Sequence, residues 1–444
     1  MHDGVDNYTY LTSAPIHRVI VTMAVPTIVC MLVTGLYNMA DTFFVGQLDT
    51  QSTAAVGVVF SLMFFIQALG FFFGHGSGNY MSRELGAKHK DNAGRMAANG
   101  FFFSFVTGLC FAVVGLLFLR PIAYMLGSTP TILPYTERYL GIVLLGAPFF
   151  TSSLTINNQL RLQGNASYAM VGIVAGAVLN VGLDPLLIFV FHMGIAGAAV
   201  ATVIGQVVSA VLLFAMTRRG DNIAIRWSNF KPTWRALYEI FLGGSPSLSR
   251  QGLLCIATML LNHAAAQYGD AAIAGMSIVN RITMLVMAFV IGLGQGFQPV
   301  CGFCYGARLF RRLKSGYRFT VVLGTVFLLF ISVIGFLISS QVISVFRNDA
   351  AVIAVGTVAL RWQLCTLPLN ATIMASNMLT QTCRKPVRAN LLAASRSGLF
   401  FVPLILTLPL FWGLTGVEMC QAISDGCSFA LTVPIMIYTL RELR

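Results

Sequence analysis

Long apolar runs recur along this sequence, and each is about as long as a helix that crosses the hydrocarbon core of a bilayer, about 20 residues. In lipid, a spanning segment must satisfy its own backbone N–H and C=O groups, either as a helix or within a closed barrel. The sequence does not show the short alternating segments of barrel strands. Only 10% of its 444 residues are charged, which is far below the content of a water-soluble chain. We therefore predict an all-α polytopic membrane protein.

Polar and charged breaks divide the apolar sequence into twelve predicted transmembrane helices. An even number of spans places both termini on the same side of the membrane. The predicted spans are 17–46, 53–80, 96–119, 135–158, 168–191, 195–217, 240–263, 271–297, 319–340, 353–379, 390–411 and 416–438.

The distribution of basic residues predicts the orientation. With a cytoplasmic N-terminus, inner loops and tails hold 21 of the 28 Lys and Arg residues, including Arg161 after span four. The outer loops hold only Arg120, Arg138 and Arg347. This bias predicts a multi-pass protein of the plasma (inner) membrane with both termini in the cytoplasm. The net charge of +13 then reflects topology, and we expect no nucleic-acid partner.

An internal repeat divides the chain into two similar halves. Residues 1–217 align with residues 239–444 at a shift of 220, through four helices without a gap. The matched pairs include Pro26 with Pro246, Gly76 with Gly296, Pro148 with Pro368, and Asn157 with Asn377. We predict two six-helix bundles, 1–217 and 239–444, that are parallel repeats joined by a cytoplasmic linker, 218–238. Such an arrangement suits alternating access around a cavity between the bundles.

Acidic residues break this symmetry. Asp41, within YNMADTFFVGQ, has Leu261 as its repeat counterpart, and Asp184 has Leu404. Because ionisable groups within a span are costly, those that occur there are candidates for function. A buried structural hydrogen bond is the alternative. At a rise of about 1.5 Å per residue, the predicted spans put both acids about 7–12 Å below the outer surface.

Two polar residues are predicted to join these acids. Asn180 lies one turn from Asp184 on the same helix face, and Thr202 in span six lies at the depth of the acids. Pro26 and Pro185 each leave a backbone carbonyl without its helical donor. Carboxylates, neutral oxygens and a free carbonyl together favour a cation or proton site.

Other charged residues in the spans receive structural interpretations. Arg396 and Asp425 approach the midplane from opposite sides, and we favour a structural ion pair over a second functional site. Arg250, Arg281 and Arg361 either extend toward the membrane surface or bind lipid headgroups, and the sequence leaves their roles open.

Sequence motifs exclude most enzyme classes. There is no GxxxxGKS/T nucleotide motif and no HExxH metal motif. We expect no enzyme activity, no cofactor and no resident metal, and we assign the CxxC of Cys301 and Cys304 to helix packing. Three classes of function remain: a secondary antiporter, a flippase of lipid-linked saccharides and a membrane-embedded enzyme. The parallel repeat and the one-sided acids favour the antiporter, with the flippase as the alternative.

The motifs Pro26…Tyr37…ADTFFVG, Gly86-Ala87 and Asn-x-x-x-Asp-Pro in span five resemble those of the multidrug and toxic compound extrusion (MATE) transporters, in the DinF-type or a related bacterial branch. The resemblance covers essentially the whole chain. It implies export of amphipathic, often cationic, drug-like compounds by antiport with H⁺ or Na⁺ through a V-shaped pair of bundles. We expect a monomer.

The resemblance also implies roles for individual residues. Asp41, Asn180, Asp184 and Thr202 would form the coupling-ion or proton site, with Na⁺ as one candidate ion. Pro26 would bend span one, and we assign Tyr37 and Asn157 with it to the substrate pocket and hinge. The acids that another branch carries in spans seven and ten are missing from the interior of those spans here.

Overall fold

The computed structural model describes residues 6–443, and these are almost entirely helical. Several short helices lie between or beside the long ones. The first half consists of α1 (Asn7–Ser13), α2 (Ile16–Gly46), α3 (Thr50–Gly86), α4 (Lys90–Leu117), α5 (Leu119–Met125), α6 (Leu133–Leu162), α7 (Ala166–Pro185), which continues as a π-helical turn at Leu186–Val190, and α8 (Ile195–Met216).

The second half repeats this order. It consists of α9 (Trp234–Ala266), α10 (Asp270–Gly306), α11 (Phe310–Leu337), α12 (Ser339–Phe346), α13 (Ala350–Thr366), α14 (Leu369–Thr382), α15 (Pro386–Ala394), a π-helical turn at Ser395–Leu399, and α16 (Phe401–Glu442).

The twelve predicted spans all coincide with helical segments, although not one for one. Within the described residues, nine helices are long and apolar enough to span a membrane, or ten if the pair α13 and α14, bent by 56°, forms one span. That bend lies beside Pro368, which cannot continue the backbone ladder. Predicted span seven is α9, whose apolar run is interrupted by Arg250. Spans eleven and twelve are separate helices, divided by a kink at Gly413, where the backbone is not helical (φ 57°).

Backbone conformation follows the repeat. Lys88 and Arg308, which are 220 positions apart, both adopt left-handed conformations, with φ of 65° and 59°. Gly194 and Gly413 do the same, each with φ of 57°. Left-handed backbone is costly for residues other than glycine. Its recurrence at equivalent Lys and Arg positions shows that the two halves end these helices in the same way.

The halves meet through closely packed glycines. A Cβ atom on Gly76 of α3 would collide with Ile240 of α9. Its counterpart Gly296 on α10 would place a Cβ atom 2.5 Å from the Cα of Ala24 on α2. Each half therefore contributes one glycine-bearing helix that packs against the first long helix of the other half. Gly76 and Gly296 thus serve close helix packing, as small residues do in membranes.

The connection between the halves packs on the first half. Asn99 donates to the carbonyl of Lys231 at 3.0 Å and accepts from its N–H at 3.1 Å. Thr233 then caps α9 by accepting from the N–H of Ala236 at 3.1 Å. The last residues of the predicted linker, 234–238, are therefore already helical.

Both ends of the described chain lie on the side of the basic loops. Arg312, in the first turn of α11, donates to the carbonyls of Leu11 and Ala14 at 3.1 and 2.5 Å, which holds the end of α1 against the start of α11. At the other end, Arg388 donates to Glu442 at 2.7 Å. This arrangement agrees with an even number of spans.

Candidate functional site

The site is built where α7 and α8 pack at backbone distance. A Cβ atom on Gly176 of α7 would lie 2.6 Å from the carbonyl oxygen of Gly205 on α8, so only small residues fit there. This close approach brings Asn180 against α8, where its Nδ2 lies 3.4 Å from Thr202 Oγ1. Thr202 Oγ1 itself donates to the carbonyl of Ala198 at 3.0 Å.

Asp184 lies one turn further along α7 and is fully buried, with 0% of its surface exposed. Neither of its carboxylate oxygens has a hydrogen-bond partner within the described residues, and the same is true of Asn180 Oδ1. Buried polar atoms are almost always paired, so three unpaired acceptors in one place are informative. These three atoms could accept a cation, a proton or a hydrogen-bond donor.

Asp41 completes this cluster from α2. Its carboxylate interacts electrostatically with that of Asp184, and both act on the Tyr37 hydroxyl one turn before it. Asp41 is half-buried, and its Oδ1 is buried without a partner among the described residues. The structure thus brings together the four residues that the sequence nominated for the ion site, with Tyr37 beside them.

Two further residues of the site are not among those predicted from the sequence. Tyr139 on α6 is 5% exposed and interacts with both acids and with Thr202. Gln206 on α8 follows Thr202 by one turn and is 8% exposed, and neither its Oε1 nor its Nε2 has a partner among the described residues. The spacing of Gln206 from Thr202 could have nominated it, whereas only the fold places Tyr139 there.

The chemistry of this cluster suits a hard cation or a proton. All its potential ligands are oxygens, and two of them belong to carboxylates that share a poorly hydrated space. The described residues contain no group of three or more His, Cys, Asp or Glu side chains that could hold a metal ion. Neutral oxygens of Asn180 and Thr202 would complete the ligands of an ion held between the two carboxylates.

The remaining pocket and hinge residues have different surroundings. Pro26 is buried within α2, which continues unbroken from Ile16 to Gly46. Asn157 donates to the carbonyl of Ala169 at 2.9 Å, and its counterpart Asn377 makes the same bond in the second half. A bond made in both halves favours a packing role for Asn157 over a pocket role.

The charged residues of the second half are separated from this site. Arg396 Nε lies 2.8 Å from Asp425 Oδ1. Arg361 donates to Ser339 Oγ at 2.9 Å, and Arg281 is exposed. Arg250 donates to Asn377 Oδ1 at 2.7 Å.

Arg161 differs from its predicted position in a cytoplasmic loop. It is only 2% exposed and lies at the inner end of α6, between the two halves. Counting basic residues by sequence assigned it to the loop because the apolar run ends just before it. The helix continues to Leu162 and holds its guanidinium inside the protein.

Comparisons with known proteins agree with this architecture. A family model described as MatE matches residues 26–186 and 246–406, two segments 220 positions apart, which confirms the repeat. The chain is 27% identical to the multidrug export protein MepA of Staphylococcus saprophyticus, over 98% of this chain and 96% of that protein. Identity to MepA of Staphylococcus aureus is also 27%, with the same shares covered. A solved structure described as the outward-facing conformation of a multidrug resistance MATE family transporter of the MOP superfamily is 26% identical, covers 98% of each chain and superposes with a TM-score of 0.92.

Proposed function

This chain belongs to the MatE family, and from that premise we propose that it exports amphipathic compounds by exchange with a cation bound among Asp41, Asn180, Asp184 and Thr202. It is a multidrug efflux transporter and not an enzyme. Its relatives are named as multidrug export proteins, so the flippase alternative is not favoured.

The observation that carries the proposal is the pair of interacting carboxylates with unpaired buried oxygens. Binding of a cation or a proton would offset the charge of the pair, and its release would restore mutual repulsion. If ion and drug favour different arrangements of the two bundles, each drives release of the other by linkage. The coupling ion is H⁺ or Na⁺, since the oxygen ligands suit both.

The test is ion-driven transport by purified protein in liposomes, with sodium and pH gradients imposed separately. Asp41→Asn and Asp184→Asn each keep the side-chain shape and remove the charge. We expect each to lower ion-driven export of an amphipathic cation by at least about tenfold, because a coupling charge at a buried site contributes several kcal/mol. The gradient that drives export in the unmodified protein identifies the ion.

Asp270→Asn is a matched control, since Asp270 is exposed at the start of α10, outside the site. It should export at the unmodified rate. Thermal stability of each purified variant separates loss of coupling from loss of folding. Full antiport by either site variant would move the coupling site elsewhere.

Topology and assembly form part of the proposal. The basic inner loops support a cytoplasmic location for both termini, in a multi-pass protein of the inner membrane. The site lies wholly within the first half, which supports function as a monomer. The substrate pocket would lie between the bundles, with Tyr37 at its edge.

A further inference from the structure

A second buried polar cluster joins the two halves, on the cytoplasmic side of the molecule. At its centre, Arg161 Nη1 donates to the carbonyl of Gln295 at 2.6 Å and to Gln298 Oε1 at 3.1 Å, both on α10. Its Nη2 donates to Asn158 Oδ1 at 2.5 Å. The first two bonds cross from one half to the other and would break when the halves part.

His75 continues the cluster into α9. Arg161 Nη2 lies 3.2 Å from His75 Nε2, and His75 Nδ1 lies 3.0 Å from Ser247 Oγ. Because a guanidinium only donates, His75 Nε2 is the acceptor and its Nδ1–H donates to Ser247. Ser247 Oγ also accepts from Gln381 Nε2 at 2.8 Å. The imidazole is therefore neutral in this arrangement.

Arg250 is the second cation of the cluster. It follows Ser247 by one turn on α9, and its partner Asn377 precedes Gln381 by one turn on α14. Arg250 therefore contacts Asn377, and Ser247 contacts Gln381, along the same interface between α9 and α14. Since Ser247 also bonds His75, Arg250 lies near this imidazole, as Arg161 does. Both guanidinium groups act electrostatically on that imidazole.

The positive charge of this cluster has no counter-charge. None of the ion pairs among residues 6–443 includes Arg161 or Arg250, and Arg161 Nε has no hydrogen-bond partner there. Neutral acceptors bind both Nη groups of Arg161 and one Nη group of Arg250, but they leave both charges uncompensated inside a membrane domain, which is costly.

The basic residues of this cluster are not repeated in the other half of the chain. At a shift of 220, neutral residues occupy the corresponding positions of the other half: Gln381 for Arg161, Gln295 for His75 and Cys30 for Arg250. The equivalent position in the second half therefore holds glutamine, which also bonds its neighbours, at 2.8 Å to the carbonyl of Gly243. The two positive charges are thus a feature of this cluster alone and not of the repeat.

We propose that Arg161 and Arg250 form a binding site for a carboxylate group of an amphipathic substrate that enters from the cytoplasm when the two halves part. Parting frees the donors of Arg161 that now face Gln295 and Gln298, and two guanidinium groups suit bidentate recognition of a carboxylate. This inference rests on the proposed export function and adds anionic and zwitterionic compounds to its substrates.

The test compares two fluorescent compounds that differ only at one group: tetramethylrhodamine, which carries a free carboxylate, and its methyl ester. Arg161→Gln installs the residue that the repeat already tolerates. We expect it to raise the KM for transport of the acid by at least about tenfold, because losing one partner of a charge-assisted contact is costly. The KM for the ester should change far less. Arg250→Gln should act in the same direction, and Arg161→Lys should retain part of the affinity.

Gln298→Met is the matched control, because it removes an acceptor of Arg161 and keeps the charge. It should not raise the KM of the acid relative to that of the ester. Equal effects of Arg161→Gln on acid and ester, or no effect on either, would overturn the proposal.

Equilibrium binding, measured by fluorescence polarisation in liposomes without a gradient, separates this inference from the export function. Charge-dependent binding of the acid without gradient-driven export of either compound would contradict the export function and leave the carboxylate site standing. Export of the ester, together with binding and transport of the acid that do not depend on Arg161, would support the export function and overturn the carboxylate site.

Discussion

Single buried charges in this protein differ in how they are compensated. Asp425 accepts from Arg396 Nε, Asn370 Nδ2 and Gln421 Nε2, each at 2.8 Å. Asp184, by contrast, has no donor among the described residues. A carboxylate with three donors is part of a fixed network, whereas one with none is ready to bind an ion. The hydrogen-bond partners of each acid, rather than its presence in a span, therefore distinguish a structural acid from a functional one.

The Arg396–Asp425 contact predicts a specific pattern of stability. Arg396→Met and Asp425→Leu should each lower the free energy of unfolding by about 3–5 kcal/mol, since each leaves a buried charge or its donors unpaired. The double variant should regain a large part of this loss, although Asn370 and Gln421 still lack their acceptor. Thermal unfolding of the purified variants measures the coupling. Additive losses would argue against the pairing.

At the scale of the helix, prolines recur at equivalent positions in two helices with different polar content. Pro26 in α2 and Pro246 in α9 are repeat counterparts, and each removes one backbone bond from a long helix. Only α2 also carries a site carboxylate, Asp41. A bend in α2 would therefore change the shape of the ion site, whereas a bend in α9 would not.

Replacing Pro26 by Ala should restore the bond to the carbonyl of Thr22 and straighten α2. We expect ion-driven export to fall by about tenfold or more while the yield of folded protein stays similar, because the interior proline bond is worth about 3 kcal/mol. Pro246→Ala makes the same chemical change in the helix without the acid and should reduce export less. Unchanged export by the Pro26 variant would remove the helix bend from the mechanism.

In the whole molecule, polar side-chain contacts join the two bundles on the cytoplasmic side. Arg83 of α3 lies 3.7 Å from Glu239 of α9 and donates to the carbonyl of Thr382 on α14 at 2.8 Å. Arg384 also pairs with Glu239, at 2.5 Å. These contacts close the inner mouth between the halves. Opening toward the cytoplasm must break the contacts of Arg83 with Glu239 and Thr382.

Glu239→Gln should weaken this closure by about 1–3 kcal/mol, the usual value of a hydrogen bond to a charged group. Buried Cys383, which directly follows Thr382, would then become accessible more often. We expect a membrane-impermeant maleimide to label it on the order of tenfold faster, as resolved by peptide mass spectrometry. Glu137→Gln removes an ion pair within the first half, to Arg120, and should leave the labelling rate unchanged.

Much of the site could be predicted from the sequence because lipid makes polar residues conspicuous. Asp41, Asn180, Asp184 and Thr202 were nominated by charge, spacing and depth, and the fold brings them together. Tyr139 could not be nominated, because tyrosine is common near membrane surfaces and its sequence neighbours are ordinary. Arg161 is predicted in a cytoplasmic loop but lies inside the protein, because the sequence does not distinguish a buried arginine at the end of a span from an arginine in the following loop.

The helical class, the twelve spans and the two parallel halves can be predicted from the amino-acid sequence, because long apolar runs in a bilayer must satisfy their own backbone as helices, and because matching prolines and glycines reveal the repeat. Which polar groups are paired, by contrast, depends on how the helices pack in three dimensions. The partners of a buried polar group depend on which helices pack beside it. The close approach of Gly176 to Gly205 places Asn180 next to Thr202. In the same way, the close approach of Gly76 to Ile240 places His75 next to Ser247. Those contacts join residues far apart in the chain, and no local pattern records them.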